Sequence, residues 1–253
     1  VPDGDTGTNM SLTMSNGSKE CRKAASSAIG RAAEAAAGGL LRGARGNSGV
    51  ILSLLFRGIS KSLKDKDSAS AADFAEALSA GVEAAYKAVM KPTEGTILTV
   101  SRLAAAAAVE SAKSTDDVEA VMARAIEEGK IALADTINLN PVLKKAGVVD
   151  SGGKGFIYIL EGMLRAVRGE IMEMVQVEET SKGADFSEFN TEDITFTYCT
   201  EFIVGRENDK DPNLLRAFLN DIGDSIVVVD DDEIIKTHVH TNNPGNVLTE
   251  ALT

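Results

Sequence analysis

Arg42-Gly43-Ala44-Arg45-Gly46-Asn47-Ser48-Gly49-Val50-Ile51-Leu52-Ser53-Leu54-Leu55-Phe56 opens as a glycine-rich turn and closes as a helix. From Ser48 to Leu63 the apolar residues Val50, Ile51, Leu54, Leu55 and Ile59 recur at the helical period. The turn before them places backbone N–H groups at a helix amino terminus. Such groups lack intrahelical acceptors and attract phosphate through the helix dipole. Arg42 and Arg45 are cations that could meet a phosphate or a neighbouring acid. An ordinary glycine turn with an Asn47 or Ser48 cap fits the same residues, and both readings stay open on this stretch alone.

Working outward, the chain reads as helix after helix. Ala24 to Leu41 is alanine-rich and uninterrupted until Gly38-Gly39. Ser70 to Val89 begins with the capping signal Ser70-Ala71-Ala72-Asp73. Thr96 to Ala112 has Thr96 as its cap, and Thr115 to Thr136 begins Thr-Asp-Asp. A further helix opens at Ser151 or Gly152 and runs to about Arg168. Strand-like alternation is absent throughout, so residues 1–170 read as an all-α domain. Residues 171–190 lose this pattern and read as a linker or a first strand. In residues 191–253, Asp193–Val204, Ser225–Val229 and Glu233–Thr241 read as strands, with helices at Asn213–Ile222 and Asn246–Leu252. Strand, helix, strand, strand, helix is a split β-α-β arrangement, a smaller α+β domain.

Upstream stands Val1-Pro2-Asp3-Gly4-Asp5-Thr6-Gly7-Thr8-Asn9-Met10. Asp3 and Asp5 are hard oxygen donors, and Gly4 lets the backbone bend so that both converge on one cation. Thr6, Thr8 and Asn9 add neutral hydrogen-bonding groups, and Gly7 allows close backbone approach. This donor set suits magnesium carrying phosphates. An Asx-rich turn capping a helix that begins near Asn9 fits as well. Thr93-Glu94-Gly95-Thr96 and Asp150-Ser151-Gly152-Gly153 are both helix starts after turns, and chemistry alone reads them as caps. The Gly153-Lys154 pair is no Walker loop: Val148 stands where its first glycine belongs, and Gly155 replaces the Ser or Thr after Lys. Met10 and Met14 lie one turn apart and read as core.

Cys199, His238 and His240 form the last cluster, and the chain holds no other histidine. His-x-His on a strand sends both imidazoles to one face, about 7 Å apart at the Cα atoms. A thiolate from a neighbouring strand could complete three ligands for zinc. A polar sheet face with Cys199 in the core is the alternative. Cys21, among Glu, Arg and Lys, reads as structural.

The chain has 253 residues, of which 43% are hydrophobic and 4% aromatic, with no Trp. That is ample for a buried core in one large domain or two ordinary ones. The net charge is −12 and sits unevenly: 17 acids and 5 bases follow from Gln176 onward, against 21 of each before it. The acidic second part argues against nucleic-acid binding there and suits either a solvated face or a basic partner. No run approaches a transmembrane span, no signal peptide is visible, and two distant cysteines indicate a reducing cytoplasm. The chain opens on Val1 at a strong motif and stops at Thr253 within a predicted helix, which reads as a fragment.

Val1–Met10 resembles the signature of the DAK2, or DhaL-like, nucleotide-binding domain, above all its bacterial fatty acid kinase branch. Arg42–Leu52, Pro92–Leu98 and Ala146–Gly153 match the same family in order and spacing. Residues from about Phe186 onward resemble the branch's middle domain more weakly. The resemblance implies a barrel of antiparallel helices with ATP or ADP at one rim. It implies that Asp3 and Asp5 hold Mg2+ and act catalytically. Thr6, Gly7, Thr8, Asn9, Asn47, Ser48 and Gly49 would lie about the phosphates, with Thr96, Asp150 and Gly152 nearer ribose and base. It implies Zn2+ on Cys199, His238 and His240, a separate fatty-acid-binding carrier protein that presents the acyl chain, and a role in phospholipid synthesis. Homodimerisation stays open. The helical part contains no histidine base, which fits a carboxylate acceptor that is already ionised. A dihydroxyacetone kinase subunit is the rival enzyme, although that branch reads DGDHG where Thr6 stands here. A nucleotide-binding regulatory or scaffold protein is the rival outside enzymes.

Overall fold

The computed structural model describes residues 4–170 and 195–253. Eight helices come first: α1 (Thr6–Ala24), α2 (Ile29–Gly43), α3 (Gly46–Ser62), α4 (Ala71–Ala88), α5 (Ile97–Ala112), α6 (Val118–Leu139), α7 (Pro141–Ala146) and α8 (Ser151–Val167). Then follow β1 (Tyr198–Gly205), α9 (Pro212–Ile222), β2 (Gly223–Asp230), β3 (Ile234–Thr241) and α10 (Pro244–Ala251). The expected order of a helical part and a smaller α+β part is therefore present. Successive helices from α1 to α6 pack against one another, and α8 touches α1, α5 and α6. The expectations for Asp3 and for the 171–190 linker lie outside the described residues.

The caps explain several boundaries. Ser70 and Asp73 form a reciprocal capping box at α4. The Thr96 hydroxyl accepts from the Leu98 amide at α5, and the Asp150 carboxylate accepts from the Gly153 amide at α8. At α6 the cap is Asp117, two residues later than Thr115. The short α7 was not expected; Asn140 caps it, with Pro141 at its first position.

Two readings at the amino end are corrected. Helix α1 begins at Thr6, not near Asn9, and the predicted helix Ala24–Leu41 is broken at its start. Ala25 takes a left-handed φ of 45°, and the next turn is tied elsewhere. The Ile29 and Gly30 amides donate to the Asp67 and Lys66 carbonyls, so the loop between α3 and α4 fixes where α2 starts. Gly38-Gly39 does not interrupt α2. A Cβ at Gly39 would lie 2.7 Å from the Asn16 carbonyl oxygen, so this glycine serves the close approach of α1 and α2.

The sheet has the order β1-β3-β2 and is antiparallel throughout. Its first strand starts at Tyr198, later than the expected Asp193. A register shift falls between Asp224 and Val227, and Ser225 in that shift has φ of 53°. Ile226, Val227, Val228 and Val229 are all buried. Val227 and Val229 join the helical core, while Ile226 and Val228 join a second core with Leu215, Leu219, Val239 and Val247. A strand covered on both faces reads as a continuous apolar run, which is why this segment shows no alternation.

Candidate functional site

The amino end of α1 lies beside the amino end of α3. Gly4 has φ of 63°, and Asp5 holds the cap position of α1 without a side-chain capping bond. The Asp5 carboxylate instead accepts from the Asn9 amide nitrogen at 2.8 Å and is exposed. Asn9 in turn backs onto Gly46, whose φ is 58°; a Cβ there would lie 2.7 Å from Asn9 Nδ2. Thr13, one turn on, donates to the Asn9 carbonyl at 2.7 Å and accepts from the Arg45 amide at 3.2 Å. Sequence reasoning placed these two stretches in one site on resemblance; the structure places Asp5, Asn9, Arg45 and Gly46 along one line of contacts.

The remaining expected residues divide by exposure. Gly7 and Thr8 are exposed, and Asn9, Asn47, Ser48 and Thr96 are partly so. Thr6, Gly49, Asp150 and Gly152 are buried. A Cβ at Gly49 would stand 2.5 Å from Thr13 Oγ1, so that glycine faces α1. Asp150 is held by the amides of Gly153, Ile97 and Gly152, and its burial nevertheless raises its pKa. It fastens the start of α8 to the start of α5. Met10 is buried with Met14 packed nearby, as expected of core. Arg42 pairs with Glu233 at 3.3 Å.

A cleft of about 300 Å³ adjoins this region, lined by Asn47 of α3 and by Thr93 and Thr96 of the turn before α5, with Asn220, Asp224 and Ser225 from the α+β part. Asn47 Oδ1 is buried and finds no hydrogen-bond partner among the described residues. A buried amide oxygen left without a donor is a group that a ligand or water must satisfy. Gly95, with φ of 74°, lets the preceding turn pass close to Asn140, which a Cβ would meet at 2.9 Å. Glu94 accepts from Thr99, Arg102 and Tyr86, and those bonds hold its carboxyl below the usual range.

The second cluster lies on the sheet face that looks toward the helices. Cys199 stands opposite His240, and Glu201 opposite His238. The ligand atoms of Cys199, His238 and His240 lie within 4.8 Å of one another. His238 turns Nε2 to the Cys199 sulfur at 3.9 Å and Nδ1 to Glu201 at 3.4 Å. His240 turns Nδ1 to Asp224 at 3.5 Å. Each imidazole thus has a carboxylate on Nδ1, the arrangement that orients histidines on a metal, and His238 Nε2 faces the Cys199 sulfur. Burial would lower the His238 pKa, but Cys199 and Glu201 outweigh it and lift it to about 9. Burial likewise opposes ionisation of Glu201, yet His238 and Lys236 bring its carboxyl down to about 2.

Glu201 does more than orient an imidazole. Its Oε1 accepts from Lys236 at 2.7 Å, and its Oε2 accepts from the Gly46 amide, the first residue of α3, at 2.9 Å. Lys236, buried, also donates to the Ala44 carbonyl at 2.7 Å. Glu201, Lys236, Asp224 and Thr13 were not singled out from sequence. The available signal was Cys199-x-Glu201 on one strand, which puts the acid on the face of the cysteine.

With this geometry, the comparisons with known proteins decide the family. The DAK2 domain matches residues 1–165, and the FakA-like middle domain of fatty acid kinases matches residues 195–253. The chain belongs to the DAK2 family. Protein YloV of Bacillus subtilis is 47% identical over 264 residues, covering 99% of this chain and 47% of that protein. An uncharacterized protein of Staphylococcus saprophyticus is 49% identical over 257 residues, with 98% and 46% covered. One from Staphylococcus aureus is 47% identical over 256 residues, with 98% and 47% covered. This DAK2 chain therefore spans just under half the length of those relatives. Both matched regions carry part of the site: Asp5, Asn9 and Asn47 lie in the first, Cys199, Glu201 and both histidines in the second. No helix among the described residues is long and apolar enough to cross a membrane.

Proposed function

We propose that this chain is the nucleotide-binding part of a kinase subunit that transfers the γ-phosphoryl group of ATP to a fatty acid. The acid would be presented by a separate acyl-binding protein, and the product would be an acyl phosphate. Two domains, divided by the 171–190 segment, with the helices in an antiparallel barrel, complete this reading. The observation that carries it is Asn47 Oδ1, without a partner among the described residues, beside a cleft at the α3 start that Asp5 and Asn9 approach.

Asp3 and Asp5 would hold Mg2+, which neutralises charge on the transferring phosphate. Gly7, Thr8, Asn9, Ser48 and Asn47 would supply polar contacts along the phosphates, with Thr96 toward the ribose. Thr6, Gly49, Asp150 and Gly152 would act by holding the three helix starts together. Cys199, His238 and His240 would hold Zn2+, whose part is to order the face of the sheet that meets α3. The acceptor carboxylate is ionised at neutral pH and needs no base, in keeping with a helical part that has no histidine. The buried Thr6, standing where the dihydroxyacetone kinase branch has histidine, favours the fatty acid over a hydroxyl acceptor.

The test is phosphorylation by the intact protein with ATP, Mg2+ and a fatty-acid-loaded carrier, trapping acyl phosphate with hydroxylamine as the hydroxamate. Phosphorylated dihydroxyacetone with no hydroxamate would overturn the fatty acid reading. ATP bound but never transferred to either acceptor would make the chain a nucleotide-binding regulator.

A further inference from the structure

The contact between the two parts of the chain is unusual in its chemistry. A helix amino terminus proposed to face phosphate has its first amide bonded to a carboxylate of the neighbouring sheet. A carboxylate held ionised at a helix amino terminus is favourable by charge and dipole. This one also accepts from a buried lysine and from His238, so three donors from two elements converge on Glu201. Lys236 closes the loop by donating to the Ala44 carbonyl, two residues before Gly46. The turn leading into α3 is thereby gripped at a carbonyl and at an amide by one ion pair of the sheet. From Gly46 the line continues through Asn9 to Asp5.

We infer that Glu201 is a positioning residue that couples the Cys199, His238 and His240 metal group to the α3 turn, so that metal on the sheet strengthens nucleotide binding by the helices. This inference rests on the proposed nucleotide and zinc sites. A metal on Nε2 of His238 fixes the ring, and the fixed Nδ1 holds Glu201 where the Gly46 amide can reach it. Without the metal, the ring is oriented only by the Cys199 sulfur at 3.9 Å and by Glu201 at 3.4 Å, so the Glu201 anchor is held less firmly. Gly46 has a left-handed φ that few alternatives share, so its amide direction depends on what binds it. Coupling of this kind is reciprocal: nucleotide must tighten metal by the same factor that metal tightens nucleotide.

The experiment uses the intact protein in four forms, wild type and Glu201→Gln, each zinc-loaded and chelator-stripped. Zinc content is measured by atomic emission, and ADP affinity by calorimetry with Mg2+. Stripping should weaken ADP binding by the wild type about fivefold or more, within the usual range of coupling between sites. Glu201→Gln should bind ADP more weakly when loaded, and stripping should change it less than twofold. Hydrogen exchange of the Gly46 amide gives a readout that needs no variant: protection in the loaded wild type should fall on stripping. A wild type that takes up zinc, but whose ADP affinity and Gly46 exchange ignore it, overturns the coupling while leaving both sites standing. Full metal dependence retained in Glu201→Gln overturns the role of this residue. A wild type that takes up no zinc, or binds no ADP in either form, removes the underlying reading and the coupling with it.

Discussion

Gly49→Ala sets two effects of opposite sign against each other. Gly49 lies in the first turns of α3, where alanine is favoured over glycine by about 1 kcal/mol on helix propensity alone. Its missing Cβ, however, would stand 2.5 Å from Thr13 Oγ1, with no other atom nearer than 3.5 Å. Thr13 is fully buried and cannot swing to solvent. Its hydroxyl also holds the Arg45 amide and the Asn9 carbonyl. Moving it breaks the part-buried bond to the Arg45 amide, at about 0.5–1.5 kcal/mol, and overpacking adds about 1–3 kcal/mol. Set against the propensity gain, the expected net loss is about 2 kcal/mol.

Urea denaturation followed by far-ultraviolet circular dichroism measures this directly. The companion variant is Thr13→Ala, which removes the obstructing oxygen. The double variant should be more stable than the sum of the two single losses by about 1 kcal/mol, because the clash needs both side chains. A Gly49→Ala protein as stable as the wild type or more so, or strictly additive losses in the double variant, would refute the packing account. Gly49 would then belong with the phosphate-contacting residues, as its sequence context suggested.

Other outcomes follow from the same geometry. Asp5→Ala should abolish Mg2+-dependent nucleotide binding and turnover, yet change stability by no more than about 0.5 kcal/mol, since Asp5 is exposed and makes no capping bond; calorimetry and a thermal melt check the two halves. The intact protein should retain about one zinc per chain after dialysis, and Cys199→Ser or His238→Ala should lose it, as metal analysis would show. Burial raises the Asp150 pKa, so the folded state holds that proton more tightly than the unfolded state, whose value is near 3.8. Asp150 therefore favours folding least above its raised native value, and Asp150→Asn should gain stability relative to wild type as pH climbs from 4 toward 7 in urea titrations.

The helical part was legible because its signals are local. Capping residues at Ser70, Thr96 and Asp150 mark helix starts through bonds to amides two or three residues away. The break at Ala25–Ala28 was not legible, because the Asp67 and Lys66 carbonyls that impose it lie some forty residues on. Gly38-Gly39 misled for the same reason: Gly39 serves contact with α1, which no local window contains. In the site, residue types announced the grouping of Cys199, His238 and His240, and the strand period placed both histidines on one face. What the sequence withheld was Glu201, one acid among the 17 that crowd the second part of the chain. Its distinction comes from the partners the fold brings to it, Gly46 above all.

The two matched regions do not behave as separate bodies in their packing. Strand β2 gives Val227 and Val229 to the helical core and Ile226 and Val228 to the other, so neither core is complete without it. The polar contacts of Glu201 and Lys236 with Gly46 and Ala44 lie on that same helix-facing side of the sheet. An apolar seam fixes the distance between sheet and helices, and only at a fixed distance can one carboxylate meet both an imidazole and a helix amide. Truncation after α8 would expose Val227's partners in the helical core and strip the α3 turn of its carboxylate. Nucleotide affinity measured on the helical part alone would therefore report a differently held turn, whatever the chemistry of Asp5 and Asn47.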